Sequence, residues 1–579
     1  MDRRGFLQRG GGAALGLWLP RSFGLPAHDP PGRPDGTTLQ ATVLRPDGPG
    51  YTRLSDGPGW PTVVRTDLAS RRRAGTDRRR SLAAFAHLTD LHLIDAQSPT
   101  RVEFIDPIGE PFTAAFRPQE TLTLHVAASM IRRINALRRG PITGRRLDCA
   151  VSTGDNIDNQ QYNEAVWFRT LLDGGRLKAD SGARGAYEGV QEPAGATPDN
   201  DWIYWHPDGG VRDRWKDELG YPDVPGLLDA AVAPFTSPGL HMRWYSTYGN
   251  HDGLIQGVIP STAAVERVLV DEWKMIGLPP GMDVGAFLVG VIQAEPDDLL
   301  RKLSTGELPA RKVTPDPQRR IITAREWVQL HLDSPRRPGP RGHGYTEDHL
   351  ESPALHYEFE ISPGIVGLSL DTGGYYSGSL GEDQVAWLNE RLAAHSSRWF
   401  DEAGAVTTGD NDDALIMVFS HFNWRSMDSA IPHPDRPGER RVFGPEVVAL
   451  LHRFPNVVAW VNGHHHVNRV EPLPDPSGRS GGFWDINTAS HVDYPQHARI
   501  VELADNGDGT LSIFCTMIEH AASPRADYDD TSVLGLAALS RELSANDPQS
   551  DLAGRRGQAK DLNVELVLEA PFDLAAAGI

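Results

Sequence analysis

The chain has 579 residues, 39% of them hydrophobic and 23% charged, with a formal net charge of −20. This is the composition of a globular protein with room for several domains, and its acidity argues against a nucleic-acid binder, which draws affinity from a broad basic surface. The two cysteines, Cys149 and Cys515, exclude a disulfide framework or a thiolate metal cage and leave at most one bridge.

At the N-terminus, Asp2-Arg3-Arg4-Gly5-Phe6-Leu7 is similar to a twin-arginine export signal. A weakly apolar stretch (10–20) and a small-residue site at Leu25-Pro26-Ala27 follow in the expected order. Residues 1–27 are therefore expected to be a signal peptide read by the twin-arginine export machinery. The mature chain is then expected outside the cytoplasm, either extracellular or in the cell envelope. No later stretch reaches 18 apolar residues, so no stable membrane span is expected. Residues 28–80 form an extended lead-in, Pro/Gly-rich at first and ending in Arg71-Arg72-Arg73 and Arg78-Arg79-Arg80, which read as a solvated connector.

Buried strands are predicted at Leu82–Thr89 and Leu147–Thr153, separated by a helix over Pro118–Arg139 with Leu122, Val126, Met130, Ile134 and Leu137 on one face. Further strands are predicted at Arg243–Tyr248, from Ile365, and at Ala414–Ser420, Asn456–Val461 and Phe483–Thr488. Helices are predicted around Ala263–Met275 and Ala324–Leu332, and after a capping box formed by Ser379 and Glu382. Asn506-Gly507-Asp508-Gly509 signals a hairpin. Strands alternating with helices indicate layered α/β architecture. The main domain is placed at 81–520, interrupted by insertions at 174–240 and 253–350, with 521–579 as a C-terminal extension packed on it. The aromatic cluster Trp202, Tyr204, Trp205 and Trp215 is assigned to the first insertion's own small core.

Metal-ligand residue types gather where these strands stop. The segments are Asp90-Leu91-His92, Gly154-Asp155-Asn156-Ile157-Asp158, Gly249-Asn250-His251-Asp252, Ser420-His421 and Gly463-His464-His465-His466. Sites in open α/β sheets form at the carboxyl ends of strands, so five strands can converge there. Mixed oxygen and nitrogen donors without sulfur suit Zn, Mn, Fe or Co. Glycines before Asp155, Asn250 and His464 are expected to permit tight turns.

The ordered set D-x-H, G-D-x-x-D, G-N-H-D, H and G-H-x-H resembles that of the calcineurin-like metallophosphoesterases, over roughly residues 50 to 575. The resemblance is greatest to exported bacterial members with long inserts between motifs. It implies a four-layer αββα sandwich of two mixed sheets with helical flanks. It also implies two divalent transition-metal ions: Asp90, His92 and His466 on one, Asn250, His421 and His464 on the other, and Asp155 between them. His251, paired with Asp158, would face the leaving group. Purple acid phosphatases carry a Tyr ligand where this chain has Asp158, and phosphoprotein phosphatases an Arg where it has Asn159.

The expected activity is hydrolysis of a small-molecule phosphomonoester or phosphodiester by attack of a metal-activated water. The alternative is a catalytically silent, metal-loaded binding protein of the envelope. Asn159, His343 and Tyr345 are candidate substrate contacts, with ordinary loop packing as the competing role for the last two. His465 is expected to point away from the ligands beside it, His87 to be a satisfied strand residue, and Asp371 to be a structural hydrogen-bonding group. No Gly-x-Ser-x-Gly elbow and no Gly-x-x-x-x-Gly-Lys loop is present.

Overall fold

The computed structural model describes residues 36–69, 79–109, 112–193, 202–335, 337–352, 354–373, 377–432 and 436–579. The expected export signal and arginines 71–73 and 78 lie outside them.

Two large sheets carry the architecture. Their strands begin with β1 (Val63–Leu68), β2 (Arg80–Leu88), β3 (Cys149–Thr153) and β4 (Arg243–Thr247). Next come β5 (Tyr357–Ser362), β6 (Ile365–Ser369), β7 (Leu415–Phe419), β8 (Val457–Asn462), β9 (Arg469–Leu473) and β10 (Phe483–Asn487). The last are β11 (His497–Asp505), β12 (Thr510–Glu519) and β13 (Val564–Glu569). The seven-stranded sheet has the order β1-β13-β12-β11-β2-β3-β4 and the six-stranded sheet β5-β6-β7-β8-β10-β9. Strands β2, β3 and β4 run parallel to one another, as do β6, β7, β8 and β10. Both sheets carry antiparallel pairs at or near their margins, so both are mixed.

Side-chain alternation decides the layers. In β7, Leu415, Met417 and Phe419 join the core between the sheets, while Ile416 and Val418 join a second core on the outer face. Phe419 meets Phe85 of β2 with ring centroids 5.6 Å apart, and Tyr245 of β4 stacks on Phe359 of β5 at 4.1 Å. Each such ring, fully buried, contributes about 1.5–3 kcal/mol relative to exposure. Helices α1 (Thr123–Leu137) and α2 (Tyr162–Asp173) bury their apolar faces in the cluster that holds Ala84 and Ala86 of β2. Helices α3 (Glu382–Ala394) and α4 (Gly444–Leu451) cover the other sheet through Leu388, Leu392, Val447 and Leu451. The fold is the expected four-layer α/β sandwich.

Helix α1 starts five residues later than expected, after a 3-10 turn at Glu120–Leu122. The Ala324–Leu332 helix is present with a capping box of Thr323 and Glu326. Two local expectations are corrected. The helix begun at Ala263 ends at Leu269, and Trp273–Met275 is a strand paired with Ala310–Lys312. Ser379 does not cap α3: Leu380-Gly381 pairs with Arg441-Val442, Gly381 takes the cap position, and Ser379 Oγ accepts from Arg441 Nε at 3.0 Å.

The aromatic cluster of the first insertion is not a private core. Tyr204, Trp205 and Trp215 pack in one cluster with Leu122, with Val126 of α1, and with Leu536 and Leu543 of α5 (Val533–Asn546). Residues 521–579 supply both α5 and β13, a strand inside the seven-stranded sheet. Arg79 and Arg80 are anchored to Glu565 and Asp505. Cys149 and Cys515 are buried free thiols, so the bridge left open by the sequence is not formed. Among the described residues no helix is long and apolar enough to cross a membrane.

Candidate metal centre

All five motifs lie just past the carboxyl ends of parallel strands: β2, β3 and β4 from one sheet, β7 and β8 from the other. The turns that carry the side chains use unusual backbone. Asp90, His92, Asp155, His464 and His466 have φ of 49°, 40°, 48°, 71° and 55°. Non-glycine residues there cost about 1–3 kcal/mol each and need surrounding structure to hold them. Asp90 N–H donates to Gly154 O at 3.0 Å, His92 N–H to Asp155 O at 2.9 Å, and Gly463 N–H to His421 O at 3.1 Å. The buried carboxylate of Asp252 accepts from the N–H groups of Asn156, Ile157 and Gly249 and fastens two motif loops together.

Of the three glycines expected to permit tight turns, only Gly154 needs positive φ, while Gly249 and Gly463 are required by close approach. Gly154 has φ +88°, and a Cβ there would lie 2.7 Å from His421 Nδ1. Gly249 has φ −107°, within reach of any residue, but a Cβ on it would collide with the Asp155 carboxylate.

Three overlapping trios have donor atoms all within 4.8 Å of one another: Asp90–His92–His466, Asp155–His421–His464 and His92–Asp155–His251. Asn250 joins the second, its Oδ1 3.0 Å from His421 Nε2. Asp155 Oδ2 lies 3.1 Å from His421 Nε2 and 3.6 Å from His92 Nε2, between the first two trios. The expected ligands are thus brought together. His251 stands at the mouth, its side chain 19% exposed against 1% for His92 and 0% for His421.

These residues fit metal ions on an internal observation. His92 Nδ1 is 2.8 Å from Asp158 and His466 Nδ1 is 2.6 Å from Asp493, so each ring is anchored through Nδ1 with Nε2 turned inward. Those two Nε2 atoms face each other at 3.1 Å. Two imidazole nitrogens at that distance share either a proton or a metal cation, and ligands at about 2.0–2.1 Å from one ion would sit roughly this far apart.

Electrostatics follow the same division. Burial would raise the Asp155 carboxyl, but the His421 and His251 rings outweigh it and hold it well below the usual range. Burial would lower His421, yet Asp155 beside it pushes it up to about 9. His92 falls to about 4, from burial first and His251 second, against the pull of Asp158. His251 is raised, because Asp155 and Asp158 outweigh its burial.

Asp158 is more than a partner of His251. Its Oδ1 lies 3.0 Å from His251 Nδ1 and 2.8 Å from His92 Nδ1, and its Oδ2 takes a short ion pair with Arg101. Burial would raise this carboxyl, but Arg101 leads the groups that hold it well below the usual range. Arg101 is 1% exposed and also meets Glu120 at 2.9 Å. On the other side Asp493 accepts from Arg117 Nε at 2.8 Å. Arg101, Arg117 and Asp493 are the residues that reading the sequence misses. They lie in aperiodic loops, and the one available signal was a set of charged residues near a motif.

The candidate substrate contacts are corrected. His343 is fully buried, stacked on Trp244 at 3.4 Å, with Nδ1 at Trp244 O and Nε2 at Ser334 Oγ. Tyr345 is buried against Tyr357. Asn159 spends its side chain on Glu164 at 2.6 Å. Burial and saturation with protein partners take all three away from a substrate. His465 turns to Ser426 Oγ at 3.1 Å, outside the donor trios, as expected. His87 is satisfied by Thr488 and Thr153 at 2.9 and 2.8 Å. Asp371 accepts from Gly373 N–H, a structural bond.

No family model matches the sequence, and no curated protein does. Among solved structures the chain is similar to a dimetal phosphatase from Danio rerio, 12% identical, with 76% of this chain and 100% of that one covered at TM-score 0.30. It is also similar to a purple acid phosphatase from yellow lupin (Lupinus luteus) seeds, 9% identical, with 85% and 65% covered at TM-score 0.25. Similarity at this level carries no argument about activity, which rests on the residues themselves.

Proposed function

We propose that the chain is a metal-dependent phosphoesterase acting on a small-molecule phosphomonoester or phosphodiester. The observation that supports this reading best is the pairing of two donor trios across one buried carboxylate, Asp155, with a non-equivalent histidine at the mouth. Asp90, His92 and His466 would hold one divalent ion, Asn250, His421 and His464 the other, and Asp155 would face both. Bound there, two ions supply charge neutralisation for phosphoryl oxygens and lower the pKa of water from about 15.7 towards 7.

The chain's own residues supply the rest. His251 gives Nδ1–H to Asp158, which leaves Nε2 to hold a proton for the departing oxygen. Asp158 favours the protonated ring, and Arg101 keeps Asp158 ionised. Metal analysis of the purified protein, combined with a panel of mono- and diesters, tests the reading. Two ions per chain and metal-dependent turnover of one ester class are expected; a metal-free protein inert on the whole panel would sink it.

We also propose export by the twin-arginine route, supported by Arg3-Arg4, the apolar stretch after them and Ala27. Intact mass of protein recovered outside the cytoplasm should place the mature start near His28. Export undiminished when Arg3 and Arg4 are both changed to Lys would contradict this.

A further inference from the structure

The second insertion reaches the carboxylate behind His251 through one buried cation. Lys274 lies in the insertion strand Trp273–Met275, and its side chain is 0% exposed. Its Nζ donates to Glu103 Oε1 at 2.8 Å and to the Ser98 carbonyl at 2.7 Å. A charge taken so fully out of water is tolerated only when it is paired and hydrogen-bonded. The next residue, Met275, donates its N–H to Pro99 O at 3.2 Å, which stitches the strand to the loop that carries Arg101. Gln256, at the start of the same insertion, accepts from Val102 N–H at 2.9 Å and donates its own N–H to Asp158 O at 2.8 Å.

Arg101 faces three carboxylates. Its Nη1 pairs with Asp158 Oδ2, its Nη2 donates to Glu120 Oε2 at 2.9 Å, and Glu103 Oε1 stands 3.5 Å from its Nε. The last contact is an ion pair without a hydrogen bond, since Arg101 Nε has no hydrogen-bond partner among the described residues. Glu103 is therefore a competitor for the guanidinium that Lys274 holds back. A buried carboxylate left without its cation is strongly destabilised, and the cation still within reach of Glu103 is Arg101.

We infer that Lys274 is a positioning residue for the leaving-group step. By engaging Glu103 it leaves the Arg101 fork to Asp158, whose Oδ1 is thereby aimed at His251 Nδ1, 3.0 Å away. A planar guanidinium binds in the direction its fork points, so a stronger pull on Nε turns Nη1 away from Asp158. The insertion thus belongs to the catalytic apparatus without touching substrate. This inference rests on the phosphoesterase reading, with His251 as the acid, and adds the residue that keeps the acid aimed.

The test measures turnover of alkyl and nitrophenyl phosphate esters by the full chain at saturating metal, with ions per chain counted by elemental analysis. In Lys274→Met, kcat on alkyl esters should fall about 10–100-fold, the scale of a misplacement of about 1 Å at a reacting group. KM, kcat on nitrophenyl esters and the ion count should stay near their wild-type values. Adding Glu103→Gln removes the competitor, so the double variant should recover most of the alkyl rate. A merely structural lysine would give no such recovery when a second buried group is changed. Should Lys274→Met fail to fold, Lys274→Gln, which can still donate to the Ser98 carbonyl, carries the same expectations.

Equal losses on the two ester types would overturn the inference, as would unchanged alkyl turnover in the Lys274 variant. So would a double variant no faster than the single one. A wild-type chain inert on both esters, or a His251→Ala variant that does not distinguish them, would instead overturn the phosphoesterase reading or its acid, and this inference with it.

Discussion

The seven-stranded sheet brings Asp90, Asp155 and Asn250 to the centre together with the imidazoles of His92 and His251, whereas the six-stranded sheet brings imidazoles alone, His421, His464 and His466. Anionic oxygen therefore comes from one sheet and most of the nitrogen from the other. The trio His92–Asp155–His251 comes from the seven-stranded sheet alone, but neither proposed ligand set does. Asp90–His92 needs His466 from across the sandwich, and Asp155–Asn250 needs His421 and His464. Metal ions bound there would tie the sheets together at an edge where the apolar core between them gives way to polar loops.

The strongest way to break this comparison is to remove the carboxylate shared by both sets. Asp155→Ala should lose both ions and reduce turnover to background, whereas Asp90→Ala and Asn250→Ala should each keep one; elemental analysis distinguishes the cases. His251→Ala should keep both ions and lose about 10²–10⁴ in rate on alkyl esters. The loss should shrink on nitrophenyl esters, whose leaving group needs no proton. Equal losses on both would exclude a leaving-group acid, and loss of an ion would move His251 into the ligand set.

If metal ties the sheets, chelation should lower stability. At free metal about 100 times the dissociation constant the difference is about 2.7 kcal/mol per site, read as a drop in melting temperature. A melt indifferent to chelator would mean the apolar core alone holds the sheets.

Proton release sharpens the contrast further. In the metal-free protein His421 is pushed up to about 9 by Asp155, so near neutral pH it carries a proton that a metal must displace. Apparent affinity at that set should rise up to about tenfold per pH unit between 7 and 9, as calorimetry in buffers of different ionisation enthalpy will show. The sign for the metal-free fold is opposite. Protonated His421 adds stability that is complete below its unfolded value of 6.5 and is lost as pH rises through about 9. The smallest effect belongs to His465→Ala, which forfeits one bond to Ser426, about 1 kcal/mol, and should leave ion content and rate unchanged.

Much of this centre was legible in the sequence because metal ligation restricts residue type and strand ends restrict position. Asp90, His92, Asp155, Asn250, His421, His464 and His466 all stand where the motifs put them, and β7 and β8 match their apolar runs within a residue. Residues acting through others were not legible. Asp493 reaches His466, and Arg101 and Arg117 reach Asp158 and Asp493, all from aperiodic loops, and any buried ion pair has the same local pattern as a solvated charge. His343, Tyr345 and Asn159 show the converse error, polar residues near motifs whose side chains the core consumes. The aromatic insertion misled for a related reason: its partners Val126 on α1 and Leu536 and Leu543 on α5 lie far before and far after it in the chain, and periodicity carries no information at that range.

The edge of the seven-stranded sheet has a consequence for synthesis. Strand β1 lies parallel to β13, Val63 beside Val564, and β2 finds its antiparallel neighbour only at β11, Phe85 beside Val501. A nascent chain emerging from the ribosome thus carries β1, and the β11-facing edge of β2, unpaired until the C-terminal strands emerge, although β2 can meet β3 early. Long-range pairing of this kind is slow and leaves strand edges exposed while it waits. The α3–α4 half, whose parallel strands β6, β7, β8 and β10 are near neighbours in sequence, can assemble first. Strand β1 and that edge of β2 must then be kept from aggregating until β11 and β13 arrive, so yield should respond to chaperone supply.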